Sequence, residues 1–151
     1  MKKLIFVASL FAVVSLSNCK NKAENPAPTT GKATIKGVAT VDLDLVAAGR
    51  QGVITAGTKV VVIVSTENLT DSPAAGVTYA KKTYQGVIGA GGAYSIEIDA
   101  ISKASSAVIY AEAFEATVIA SATVTERRKF ATITRNVNVY KDGSFVEDFN
   151  Y

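Results

Sequence analysis

Between residues 33 and 151 the apolar positions fall mostly in short runs with a period of two, the spacing that sends alternate side chains to opposite faces of a strand. In Ala93 to Asp99, Tyr94, Ile96 and Ile98 point one way and Ser95, Glu97 and Asp99 the other, so one face packs and the other is wet. Phe130 to Tyr140 repeats the pattern, with Ile133, Val137 and Val139 opposite Thr132, Thr134, Asn136 and Asn138. Val60-Val61-Val62-Ile63-Val64 is different. This unbroken β-branched run, inside a strand expected over Thr58 to Thr66, suits a central strand covered on both faces. Ala33 to Val41 predicts the first strand, Tyr79 to Ile88 a more polar one, and Phe145 to Tyr151 a short last one. Ala107 to Phe114 and Ala116 to Thr125 are two more. The β-branched content of Ile101 to Ser121 outweighs alanines that would permit helix.

Glycine and short polar residues punctuate these runs. Gly89-Ala90-Gly91-Gly92 supplies positions able to take positive φ, and predicts a hairpin between Tyr79 to Ile88 and Ala93 to Asp99. Asp142-Gly143 is a second hairpin signal, and Glu126-Arg127-Arg128-Lys129 reads as a charged turn or strand start. The stretch from Asp42 to Ala56 is longer than a hairpin needs and is expected to cross between sheets or cover an end. About seven strands, no long helix and no internal repeat predict an all-β chain: an immunoglobulin-like or transthyretin-like β-sandwich over residues 32–151.

The first 31 residues follow other rules. Met1-Lys2-Lys3 is basic, and Leu4 to Leu16 is apolar except for Ser9 and Ser15, the layout of a secretory signal. At 13 residues the run falls short of the roughly 20 that span a bilayer. It ends at Leu16-Ser17-Asn18-Cys19, which holds the chain's single cysteine. This junction resembles the lipobox of bacterial lipoproteins, with Asn18 standing where Gly, Ala or Ser is usual. The resemblance implies cleavage after residue 18 and a diacylglycerol on the Cys19 sulfur, often with a third chain on the freed amine. Two or more acyl chains hold a protein stably, since each buried methylene contributes ~0.8 kcal/mol. Lys20, where Asp would favour inner-membrane retention, implies the outer membrane or cell surface. Residues 19–31 then form a polar tether with two prolines, reaching at most ~40 Å extended and about 20 Å as a coil.

Composition narrows the chemistry. Without residues 1–18, 133 residues remain, enough for one domain. Lys2 and Lys3 leave with the leader, so 14 basic side chains face 13 acidic ones and no broad basic field attracts nucleic acid. With Cys19 acylated no thiol is left for a disulfide, and the fold must stand on its core. Histidine is absent, which excludes His-based triads, His general bases and ordinary zinc sites. No cofactor is expected.

Three segments carry a second resemblance. Ile35-Lys36-Gly37-Val38-Ala39, Gly57-Thr58-Lys59-Val60-Val61-Val62 and Gly92-Ala93-Tyr94-Ser95-Ile96 are similar to the carboxypeptidase regulatory-like, transthyretin-type module found on Bacteroidetes surface lipoproteins. The likeness spans residues 33–114 and implies a non-catalytic structural or adhesive domain.

Candidate sites follow from side-chain chemistry. Arg127-Arg128-Lys129 is the strongest charge cluster and could meet an anionic partner, although cations also guard strand edges. Tyr79, Tyr84, Tyr94 and Tyr110 include candidates for a sugar-stacking platform, Tyr79 and Tyr84 foremost. Asp42 and Asp44, together with Asp71 or backbone carbonyls, could hold Ca²⁺, which wants six to eight oxygens, but nothing resembles a full calcium loop. Glu97 with Asp99, and Glu112 with Glu115, are the pairs a glycosidase would need across a cleft. Ser102-Lys103 is adjacent in sequence only, without a nucleophile turn. The expectation is a non-catalytic, lipid-anchored outer-membrane or surface protein mediating protein interaction or adhesion. Its rivals are a glycan-binding accessory lipoprotein of a polysaccharide-uptake system and, behind it, a hydrolase.

Overall fold

The computed structural model describes residues 30–47 and 51–151; the expected leader, Cys19 and the tether as far as residue 29 lie outside the described residues. The longest strand, β1 (Gly31–Asp42), is the spine of the molecule. Its odd positions Ala33, Ile35, Ala39 and Val41 are buried, while Lys32, Lys36 and Val38 face water. Along one edge of β1 run β2 (Gln51–Val53) and β5 (Ala93–Ala100), both antiparallel to it. Along the other lie β10 (Ser144–Val146) and β11 (Phe149–Asn150), both parallel to it. The two edges are distinct because Lys36 pairs with both Ser95 and Val146, and Thr40 with both Val53 and Asn150.

The second sheet is antiparallel in the order β4 (Lys81–Val87), β3 (Lys59–Ser65), β6 (Ser105–Ala111), β9 (Ile133–Val139). Val60, Val62 and Val64 of β3, with Ala107, Ile109, Val137 and Val139, meet Ile35, Ile96, Ile98 and Phe149 between the sheets. Val61 and Ile63 point the other way. The valine run is therefore a central strand, as its composition predicts, but the core covers only one of its faces. The chain is an all-β sandwich with eight strands of seven or more residues and three shorter ones among the described residues.

Both expected hairpins are corrected. β4 pairs with β3 and β5 with β1, so Gly89 to Gly92 carries the chain from one sheet to the other. Gly91 and Gly92 each take φ +79, and a Cβ on Gly92 would lie 2.6 Å from the Ala39 carbonyl oxygen. The glycines do make a tight turn, but local sequence does not say whether the strand that follows pairs with its predecessor or packs across from it. Asp142-Gly143, with Asp142 at φ 61, likewise sends the chain from β9 to β10 in the other sheet.

A long hairpin exists elsewhere. β6 pairs with β9, and β7 (Phe114–Ser121) pairs with β8 (Val124–Phe130), in one continuous register: Ala111 opposes Ile133 and Phe114 opposes Phe130. The inward side switches from odd residues in β6 to even ones in β7, so the hairpin bends at Glu112-Ala113. Its outer half reaches the far end of the β1 sheet. There the Ile119 amide donates to the Leu43 carbonyl at 2.8 Å, and the Leu45 amide to the Ile119 carbonyl at 3.0 Å. Glu126 to Lys129 thus lies within a strand, and the turn falls at Ala122-Thr123.

Candidate functional site

The outer face of the four-stranded sheet can be read row by row from its register. One row is Gln85, Val61, Tyr110, Thr134; the next is Thr83, Ile63, Val108, Asn136; Asn138 opposes Ser106 beyond them. Val61 is buried, Ile63, Val108 and Tyr110 are half-buried, and the flanking Thr83, Gln85, Thr134, Asn136 and Asn138 are exposed. Strands ~4.8 Å apart make this a face about 14 Å wide, with an apolar centre and hydroxyl and amide margins. Neither row contains a charged side chain; Lys59, Lys81 and Glu112 stand at its ends. β-branched residues form the stripe because they pack well on a pleated surface. Nothing in an alternating pattern says which wet face stays neutral.

The opposite sheet presents charge instead. Lys32 lies 3.0 Å from Asp99 and 3.7 Å from Glu97, and Lys82 of β4 reaches the other Asp99 oxygen at 2.8 Å. The Lys82 and Lys32 ammonium groups hold the Asp99 carboxyl well below the usual carboxylate range, and the Asp99 hydrogen bond raises Lys32. A glycosidase acid needs its carboxyl shifted the other way. Glu115, the partner proposed for Glu112, is 2.9 Å from Arg127.

Tyrosines take four different positions. Tyr84 is on the core side of β4, half-buried, its hydroxyl buried beside Asp99 without a well-formed hydrogen bond; burial raises its pKa. Tyr79 accepts a hydrogen bond from the Ala74 amide at 2.7 Å and holds the loop that precedes β4. The structure places these two on opposite duties rather than on one platform. Tyr94 is a core residue whose hydroxyl donates to the Glu147 carbonyl, and burial followed by the Glu147 and Asp148 charges raises its pKa. Only Tyr110 of the four stands on the neutral face.

Alternation also divides the basic cluster. Arg127 and Lys129 share one side of the β7–β8 ladder, where they oppose Thr117 and Glu115, while Arg128 opposes Ala116 on the other and lies 5.9 Å from the Phe130 ring centroid. Asp42 accepts from the Asp44 amide at 3.0 Å, and Asp44 from the amides of Val46 and Ala47, so both carboxylates stabilise local turns. Among the described residues no three Asp, Glu, Cys or His side chains gather as metal ligands would. Ser102 and Lys103 lie in the exposed connection before β6.

Arg135 was not among the candidates. It sits at an inward position of β9 between Ile133 and Val137, 5.7 Å from the Phe149 ring centroid and 4.0 Å from Glu147. Its signal in the sequence is a charge at an otherwise apolar phase. It closes one open side of the sandwich, as Lys82 with Asp99 closes the other.

No family model matches the chain, and no curated protein matches it.

Proposed function

We propose that this chain is a non-catalytic recognition domain, held at the outer membrane or cell surface by acylated Cys19 and mediating protein interaction or adhesion. The observation that carries the reading is the neutral outer face of β4, β3, β6 and β9. A face with an apolar centre and no charge loses little on desolvation, because amides and hydroxyls cost less to remove from water than ions do. The basic, then apolar leader ending at Cys19 supports the anchor, and the likeness of β1, β3 and β5 to the carboxypeptidase regulatory-like module supports an accessory rather than a catalytic domain.

The test joins location and recognition. Mass spectrometry of the mature chain should find acyl chains on Cys19, and Cys19→Ala should release the protein from the membrane fraction. Cells displaying Ile63→Glu with Val108→Glu should lose adhesion while the purified variant keeps its strand circular dichroism. Unchanged adhesion would remove the neutral face from the proposal.

Tyr110 between Val61 and Thr134, with Gln85 and Asn136 alongside, favours a second reading as a neutral-glycan binder, since a sugar offers apolar ring faces and uncharged hydroxyls. A glycan array with a reproducible signal lost in Tyr110→Ala would choose this reading over the first.

A further inference from the structure

The outer edge of β8 is the unusual feature of the molecule. Among the described residues β8 pairs only with β7, and no backbone hydrogen bond outside that ladder involves Val124 to Phe130. Alternate N–H and C=O groups along seven residues therefore point outward with no backbone partner among the described residues, in a strand with no proline and with Val124 to Lys129 exposed. The strand is held in place before anything binds. Phe114 and Phe130 stack at 5.0 Å, Tyr151 meets Phe114 edge-on at 5.1 Å, and Ile119 is bonded to the Leu43 to Leu45 segment.

We infer that β8 accepts an extended acidic peptide segment as a third strand along its free edge, opposite β7, with its carboxylates opposite Arg127 and Lys129 on one side of the ladder and Arg128 on the other. Main-chain hydrogen bonds to the free edge would supply affinity, and the side chains on both sides would select the partner. The division of the basic cluster between two faces, which breaks it as a flat patch, suits a strand partner because a strand presents side chains to both faces too. Arg127 is shared with Glu115, whereas Arg128 and Lys129 have no carboxylate within salt-bridge distance among the described residues. Charge also decides between occupants. Two copies of β8 meeting edge to edge would bring their Arg-Arg-Lys segments together, and like charges opposite one another destabilise a ladder. An acidic strand replaces that repulsion with attraction.

This inference uses a surface separate from the neutral sheet face and stands or falls independently of it. The experiment uses the full-length chain in neutral detergent and a blocked peptide of about eight residues with three consecutive glutamates flanked by valine and threonine, so that carboxylates project from both of its faces. Expected are saturable binding that weakens with salt, and slowed amide hydrogen exchange at alternate positions of β8. Replacing the peptide's glutamates by lysine should abolish binding. N-methylation of the peptide amides that face β8 should do the same, since it keeps the charge and removes the donors. Arg128→Glu with Lys129→Glu should weaken binding by about tenfold or more. Equal binding of the N-methylated peptide, protection confined to another strand, or no binding of the glutamate peptide would each overturn the inference. If that peptide is silent while anionic phosphatidylglycerol vesicles bind in a manner lost on the same charge reversal, the edge serves a lipid surface instead.

Discussion

Gly37 shows how much a missing side chain can decide. It lies inward in β1, and a Cβ there would collide with the Glu147 backbone carbonyl and lie 3.0 Å from the Tyr94 hydroxyl. The Glu147-Asp148 link between β10 and β11 can then fold down onto β1, where Tyr94 donates to the Glu147 carbonyl. Backbone cannot swing aside as a flexible side chain can, so Gly37→Ala should lower unfolding stability by about 3 kcal/mol in denaturant melts. Asp99 makes a second prediction at this scale. Its folded pKa is depressed by Lys82 and Lys32, so its contribution is complete above the unfolded value near 4 and is lost as pH falls through the lower folded value. Asp99→Asn should lower the melting temperature by about 3 °C at pH 7, and the gap should shrink progressively below about pH 4. A gap that stays constant down to pH 2 would count against the ion cluster.

Strands differ in how strongly they are bound to the rest. β3 has neighbours on both edges, but β7 and β8 form a two-stranded ladder, and an isolated two-stranded hairpin is marginal in water. Aromatic packing at its base compensates: Phe130 stacks on Phe114 and meets Tyr151 edge-on at 6.3 Å. Phe130→Ala should cost about 2 kcal/mol, below the full core value because the ring is half-buried, and the loss should be local. Hydrogen exchange should accelerate across 114–130 well before it does in β3. Uniform acceleration throughout the sandwich would show instead that the hairpin is part of the cooperative core. Element type was legible wherever alternation was strict. The β5 pattern of Tyr94, Ile96 and Ile98 is the buried set, and β9 buries the odd side that its apolar residues mark. Partner choice was not legible, because a strand carries the same alternation whether it pairs with the preceding strand or lies across the core from it.

At the scale of the molecule, the far edge of β1 depends on residues more than a hundred positions away. The Lys36 and Thr40 carbonyls accept from the Glu147 and Tyr151 amides at 2.9 and 3.0 Å, and Phe149 is wholly buried. Deleting residues 143–151 would expose the β1 edge and empty the largest core position, so the shortened chain should show no cooperative thermal transition. A lower but still cooperative transition would mean that β1 holds its place with β5 and β2 alone. Such long-range pairing carries a loop-closure cost before it yields contacts.

The all-β class, the valine run as the middle of a sheet, and the wet and dry sides of β5 and β9 were determined by the sequence alone, because side-chain period and β-branched content are local properties. The tertiary structure decided that Gly89 to Gly92 and Asp142-Gly143 connect two sheets, that Tyr84 turns inward while Tyr110 joins a neutral face, and that Arg127 and Lys129 part from Arg128. Those outcomes depend on which strands become neighbours. Neighbours are selected by burial and register summed over the whole chain, and no single stretch contains that sum.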